Sequence, residues 1–213
     1  MSPPRRAAVI DYGCGNLRSV VRALERSGLD PRVTDRPEGF RDAHALVLPG
    51  VGNFSDAVAG LEKRGLTEPL RDAIQSGRPY LGICLGLQLL FERSLEHGES
   101  PGFGLLRGEV RRFPDEGPGG TRLRVPHIGW NEVRWSGSHP LLRELPERDC
   151  YYFVHSYRAE PAEADLVVGW CEYGKPFAAA VARENAIAVQ FHPEKSQNAG
   201  RRLLDAFARW VSA

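Results

Sequence analysis

The sequence predicts an α/β fold: a mostly parallel central sheet flanked by helices, with an additional antiparallel or mixed strand portion in the C-terminal half. Short, wholly apolar runs alternate with helically spaced segments through the first half, the pattern of parallel strands buried on both faces. In the second half, strand-like runs succeed one another across turn residues with no helix between them. The 213 residues, 42% hydrophobic and 26% charged, are enough for a substantial core and read as one domain over 1–213.

Residues 7–10 are an apolar run ending in Asp-Tyr-Gly, hence a buried strand. Leu17, Val20, Val21 and Leu24 have helical spacing, and Gly28 closes that helix. A second buried strand, 45–48, is expected to stop at Pro49-Gly50. Asn53 to Asp56 opens a helix whose apolar face is Ala57, Val58 and Leu61. Thr67 is the expected N-cap of the next helix, with Pro69 just inside and Gly77 at its end. Residues 80–83 form the third buried strand, and a helix is expected over 85–92. Asp11, Pro49 and Cys84 each follow a strand, so all three should lie along the sheet edge where sites form in such folds. Segments 109–113, 131–135, 151–157, 165–172, 177–182 and 186–191 read as strands. Residues 115–120 read as a flexible loop and 200–211 as a closing amphipathic helix.

With 28 basic and 27 acidic residues the formal net charge is +1, too little for a global field that would hold nucleic acid or an anionic membrane. The longest apolar stretch, 80–91, is too short to span a bilayer and Gln88 interrupts it. Only 7–10 is apolar between the N-terminal arginines and Asp11, too short for a signal-peptide core, so a cytoplasmic location is expected. Cys14, Cys84, Cys150 and Cys171 have no metal-like pairing; free thiols are expected, with no metal or cofactor. Cys150 and Cys171 read as small buried hydrophobes, and His44, His97 and His139 as surface residues.

Cys84 sits between Gly82 and Gly86 where a strand gives way to a helix. There the thiol meets the positive end of the helix, and the Leu85 N–H can donate to the oxyanion of a tetrahedral intermediate. On the local string alone, a Cys buried beneath a helix is an equal alternative. Downstream, Gln190-Phe191-His192-Pro193-Glu194-Lys195 puts a carboxylate two positions from an imidazole. In an extended segment such residues share a face, so Glu194 can orient His192 for proton transfer. A His and a Glu in a surface loop is the alternative. Pro49-Gly50-Val51-Gly52 can present backbone N–H groups to an oxyanion, or can be a plain βα turn.

Gly82-x-Cys84-x-Gly86-x-Gln88 together with Phe191-His192-Pro193-Glu194 resembles the class I (triad) glutamine amidotransferases. Four further segments, 11–17, 49–52, 126–131 and 152–157, are similar to the glutaminase subunits of imidazole glycerol phosphate synthases, the HisH family. Pro126-His127-Ile128-Gly129-Trp130-Asn131 is the specific signal, and the likeness covers nearly the whole chain. The resemblance implies hydrolysis of L-glutamine to glutamate and ammonia through a cysteinyl thioester. Cys84 would be nucleophile, His192 acid/base and Glu194 its partner, with Val51 and Leu85 at the oxyanion hole. Gly52, Gln88, Glu96, His155, Ser156 and Tyr157 would lie near the glutamine. Ammonia would pass to a (β/α)₈ cyclase subunit, HisF, which converts PRFAR to imidazole glycerol phosphate and AICAR. Asn16, Trp130 and Lys195 fall in segments that face this partner; a core Trp and a solvated Lys are the alternatives. Glu96 is open between an ammonium contact and a solvated charge, and His127 has no assigned chemistry.

Three other functions fit parts of the chain. A glutaminase serving another synthase is disfavoured by 49–52 and 126–131, and a silent binding module by the intact triad. A thiol peptidase is disfavoured by the order Cys, then His-Pro-Glu in one short segment.

Overall fold

The structure, a computed structural model, describes residues 4–13 and 17–213. In chain order it comprises β1 (Arg6–Ile10), α1 (Leu17–Arg26), β2 (Asp30–Thr34), β3 (Ala45–Gly50), α2 (Phe54–Lys63) and α3 (Thr67–Gln75). These are followed by β4 (Tyr80–Cys84), α4 (Leu85–Gln88), β5 (Phe91–Ser94), β6 (Ser100–Pro101), β7 (Leu106–Arg112) and β8 (His127–Trp135). The chain ends with β9 (Arg148–His155), β10 (Tyr157–Pro161), β11 (Val167–Tyr173), β12 (Lys175–Arg183), β13 (Ala186–Val189) and α5 (Gln197–Ser212).

The described residues form a nine-stranded sheet, ordered β2-β1-β3-β4-β13-β12-β11-β8-β9, and a four-stranded sheet, β10-β7-β5-β6. Pairing is parallel from β2 to β13 and antiparallel from β13 to β9, which is the mixed α/β architecture expected. The two-residue period of the strands divides the core. Ala7 and Val9 pack with Val20 and Leu24 of α1 and with Leu203 and Phe207 of α5. Ala8 and Ile10 pack on the opposite face with Phe54 and Leu61 of α2 and Leu70 of α3. No helix among the described residues is long and apolar enough to cross a membrane.

Several expectations need correction. β2 was not foreseen: it is an edge strand whose Val33 is exposed, so its sequence carries no apolar run. β3 does not stop at Pro49 but runs to Gly50, with Pro49 opposite Ile83. Thr67 is not a cap. Leu66 occupies that position and its carbonyl starts the helix, while the Thr67 hydroxyl is buried with no partner among the described residues. The helix expected over 85–92 lasts one turn. Leu89, Leu90 and Phe91 then give their carbonyls to the N–H groups of Phe103, Leu105 and Gly104, and β5 pairs with β7. An apolar run has no period to tell these outcomes apart. The single strand expected over 151–157 is two: β9 stays in the large sheet, and after Ser156 the chain enters the small one. His139 is buried, edge-on to Trp210, and Cys150 is exposed. Cys14 and Asn16 lie outside the described residues.

Candidate active site

The parallel register sets the carboxyl ends of β3 and β4 side by side, Gly50 opposite Cys84. Cys84 joins β4 to α4 at φ 55° and ψ −102°, a conformation costly for any residue with a Cβ. The flanking glycines are required by contact. A Cβ on Gly86 would lie 1.9 Å from the Leu48 carbonyl oxygen, and one on Gly82 would lie 2.5 Å from that of Gly86. From below, the Tyr80 hydroxyl donates to the Gly86 carbonyl at 2.7 Å. Burial, then the nearby Tyr12, holds the Tyr80 pKa well above its ordinary value, so it remains a donor. Because α4 is a single turn, its dipole gives the thiol less support than a long helix would.

His192 comes from the turn after β13. Its N–H donates to the Tyr152 carbonyl at 2.9 Å. The Ser196 hydroxyl accepts from the Tyr152 N–H at 2.9 Å and donates to the His192 carbonyl at 2.6 Å, stapling the turn to β9. His192 Nδ1 lies 2.8 Å from Glu194 Oε1, and both side chains are almost wholly buried. Burial acts against a charged ring. Interaction with Cys84, then with Glu194, outweighs it and pushes the His192 pKa up to about 10. Nε2 makes no aligned hydrogen bond with the described residues, so the contact with the sulfur is electrostatic and loose, as is common before a substrate tightens a site.

Cys84 opens onto a cleft of about 500 Å³. Its walls include Val51, Gly52, Leu85, Gln88, Glu96, His155, Ser156 and Tyr157, with Lys195 also lining it. The sequence-derived site residues therefore converge on this cleft, apart from His192 and Glu194, which are buried and act on Cys84 without lining it, Trp130, which lies on the neighbouring surface, and Asn16, which lies outside the described residues. A larger groove, about 760 Å³, is lined by Arg112, Arg122 and Arg124 and meets the cleft at Pro126, but it holds no member of the Cys-His-Glu set. Gly52 has φ +101° with open space where a Cβ would be, so the end of the 49–52 loop is uncrowded. Among the described residues no group of three or more His, Cys, Asp or Glu could hold a metal ion.

The polar walls are already partly committed. Gln88 Nε2 donates to the Tyr157 carbonyl and to Gln190 Oε1, each at 3.0 Å, leaving Gln88 its carbonyl oxygen to offer the cleft. Glu96 is half-buried rather than solvated, and its Oε2 accepts from the Phe54 N–H at 2.7 Å, at the start of α2. His155 Nδ1 lies 2.8 Å from the Tyr157 carbonyl, and its Nε2 lies 3.1 Å from His127 Nδ1. Burial drives the pKa of His155 down to about 3 and that of His127 down to about 4. His127 is stacked between Phe153 and Tyr173. Gln190, Ser196 and Tyr80 were missed by sequence reasoning. The first adjoins a recognised motif; the other two carry no motif signal.

Beside the cleft Trp130 is 49% exposed and Ile128 58% exposed. The Trp130 ring meets Tyr152, whose face also carries the Lys195 ammonium at 6.0 Å. An exposed indole is thus observed where a core Trp was the alternative.

The family model of class I glutamine amidotransferases matches residues 8–209. The chain is 45% identical over 204 residues to the imidazole glycerol phosphate synthase subunit HisH of Desulfitobacterium hafniense, covering 96% of this chain and 94% of that one. It is 48% identical over 200 residues to the HisH subunit of Syntrophotalea carbinolica, covering 93% and 97%. Among solved structures, PurLQS from Thermotoga maritima superposes with a TM-score of 0.75 at 19% identity, covering 98% of this chain and 99% of that one, a likeness of fold.

Proposed function

The chain belongs to the class I glutamine amidotransferase family, and on that premise we propose that it is the glutaminase subunit of an imidazole glycerol phosphate synthase. Its substrate is L-glutamine. Its partner is the cyclase subunit HisF, which takes the ammonia and, with PRFAR, forms imidazole glycerol phosphate and AICAR.

The Cys84 sulfur attacks the side-chain amide carbon of glutamine. A C–S bond forms and the carbonyl electron pair moves to oxygen, where the N–H groups of Val51 and Leu85 receive the charge. His192 gives a proton to the nitrogen as the C–N bond breaks, releasing ammonia and leaving a glutamyl thioester. The ring then takes a proton from water, water attacks, and the C–S bond breaks to give glutamate. Glu194 keeps the ring oriented and favours its charged form. The Gln88 carbonyl oxygen and the Glu96 carboxylate suit the substrate ammonium, while Gly52, Ser156 and Tyr157 shape the pocket. Both ring nitrogens of His155 are spent inside the protein, so that side chain serves as wall. Trp130 and Lys195 belong to the face that meets the cyclase.

The observation that supports this reading most is a strained Cys84 that opens onto a cleft of about 500 Å³ and interacts with a Glu194-bound His192. A diazo-ketone analogue of glutamine tests it by mass spectrometry of the modified protein. One equivalent on Cys84, blocked by excess glutamine, is expected. Labelling elsewhere, or labelling indifferent to glutamine, would refute the assignment. The relatives' names favour this synthase over others, since the solved structure aligned at 19% identity shares only the fold.

A further inference from the structure

We propose that Gln190 is a further functional residue: its side-chain N–H donates to the Cys84 sulfur, and buried hydrogen bonds from Gln88 to the Tyr157 carbonyl and to Gln190 lock the amide in that donating orientation. The inference rests on the glutaminase reading for its role in turnover, but the contact itself does not depend on it.

The geometry fixes each link. Gln190 is wholly buried directly after β13, and its Nε2 is 3.5 Å from the Cys84 sulfur. An amide could face the sulfur with either end, so the partners must decide which. The Tyr157 carbonyl only accepts, hence Gln88 turns its Nε2 toward it, and the second hydrogen of that nitrogen points at Gln190. Gln190 must present an oxygen there, which leaves its NH₂ for the sulfur. The same carbonyl takes a second bond from His155 Nδ1, so that nitrogen carries the proton. With both rings held neutral by burial, His155 Nε2 is bare and accepts from His127 Nδ1. His127 Nε2 is bare in turn and faces Asn131 Nδ2 at 3.5 Å, whose other bond goes to the Glu172 carbonyl. The His127 and His155 bonds end on the Tyr157 carbonyl from the other side, so the orientation of Gln190 is set by Gln88 and that carbonyl.

The consequence for the reaction is specific. A buried N–H aimed at sulfur favours negative charge there. That charge is present when the thiolate attacks, is absent in the thioester, and returns as the C–S bond breaks. Through its N–H, Gln190 thus assists thiolate formation and thioester breakdown, while its carbonyl oxygen holds Gln88.

The test uses the full chain, with turnover measured in its complex with the cyclase. Gln190→Met keeps the length and removes the donor. Gln190→Glu keeps the shape and the bond from Gln88 but turns an acceptor toward the sulfur. Alkylation of Cys84 by iodoacetamide at fixed neutral pH should slow about tenfold in Gln190→Met, the usual worth of a hydrogen bond to a charged group, and more in Gln190→Glu. Its pH–rate midpoint should move to higher pH. The kcat should fall in parallel, with more trapped glutamyl thioester, and in Gln190→Glu, which keeps the bond from Gln88, with no rise in KM. Unfolding midpoints confirm that each variant folds. An unshifted alkylation profile in Gln190→Met would overturn the contact. So would a Gln190→Glu that outperforms Gln190→Met, since filling the space would then be what matters. Alkylation needs neither glutamine nor cyclase: a normal Gln190 effect without ammonia release would sink the glutaminase reading and spare the contact.

Discussion

The two sides of the cleft differ in kind. On the inner wall, Gln190, Gln88, His155 and His127 are all buried and bonded to one another or to the backbone, and Gly86 sits where no side chain fits. On the rim, Gly52 borders open space, and Ile128 and Trp130 expose large apolar surfaces. A fully satisfied buried network has one low-energy arrangement, whereas an uncrowded loop beside exposed apolar side chains has several and gains most from a partner. On the proposed function, the wall holds the nucleophile before substrate arrives, and the rim is where a docked cyclase would adjust the donor that receives the oxyanion.

The wall breaks most completely at its centre. Cys84→Ala should reduce ammonia release at least about a thousandfold while the cyclase still binds, because the proposed function gives this residue a part in chemistry and none in docking. Pull-down with the cyclase alongside the assay checks both halves. Gly86→Val comes next: with 1.9 Å between any Cβ and the Leu48 carbonyl oxygen, β3 and α4 must part, and a loss of about 3 kcal/mol or more is expected in denaturant unfolding. The rim should respond differently. Trp130→Ala should weaken the complex about tenfold or more in titration, as for a buried aromatic anchor, and leave the unstimulated rate within about twofold.

The smallest effect is a pH dependence that contrasts the two histidine environments. His127 and His155 have depressed pKa values, about 4 and about 3, so between there and pH 6.5 the unfolded chain binds more protons than the folded one. Their contribution to stability is complete above pH 6.5 and is lost as pH falls through the folded values. His192 runs the other way: raised to about 10, it contributes fully below pH 6.5 and loses its contribution as pH rises toward 10. Thermal unfolding across pH 4–7 should show an acid-side slope that is shallower in His127→Phe by about one proton.

How much of this was legible depended on the signal each part leaves. The buried strands at β1, β3 and β4 announce themselves because both faces are apolar, and the Cys84 and His192-Glu194 segments because spacing and chemistry coincide. β2 has an exposed edge and no apolar pattern, so nothing marked it. The stretch after Gln88 is apolar throughout, and only its pairing with β7 decides for strand over helix. Gln190 stood beside the recognised motif, yet its importance lies in a contact 106 positions away in sequence. Asn16 falls outside the described residues, so its expected place on the rim stays a matter for the sequence.

The most direct measurement is ammonia release from glutamine by the chain alone, with the cyclase, and with the cyclase loaded with its ribulosyl ligand. Weak hydrolysis alone and strong stimulation in the loaded complex are expected. Vigorous hydrolysis by the isolated chain, unchanged by the cyclase and its ligand, would contradict a preset wall governed by a partner-dependent rim.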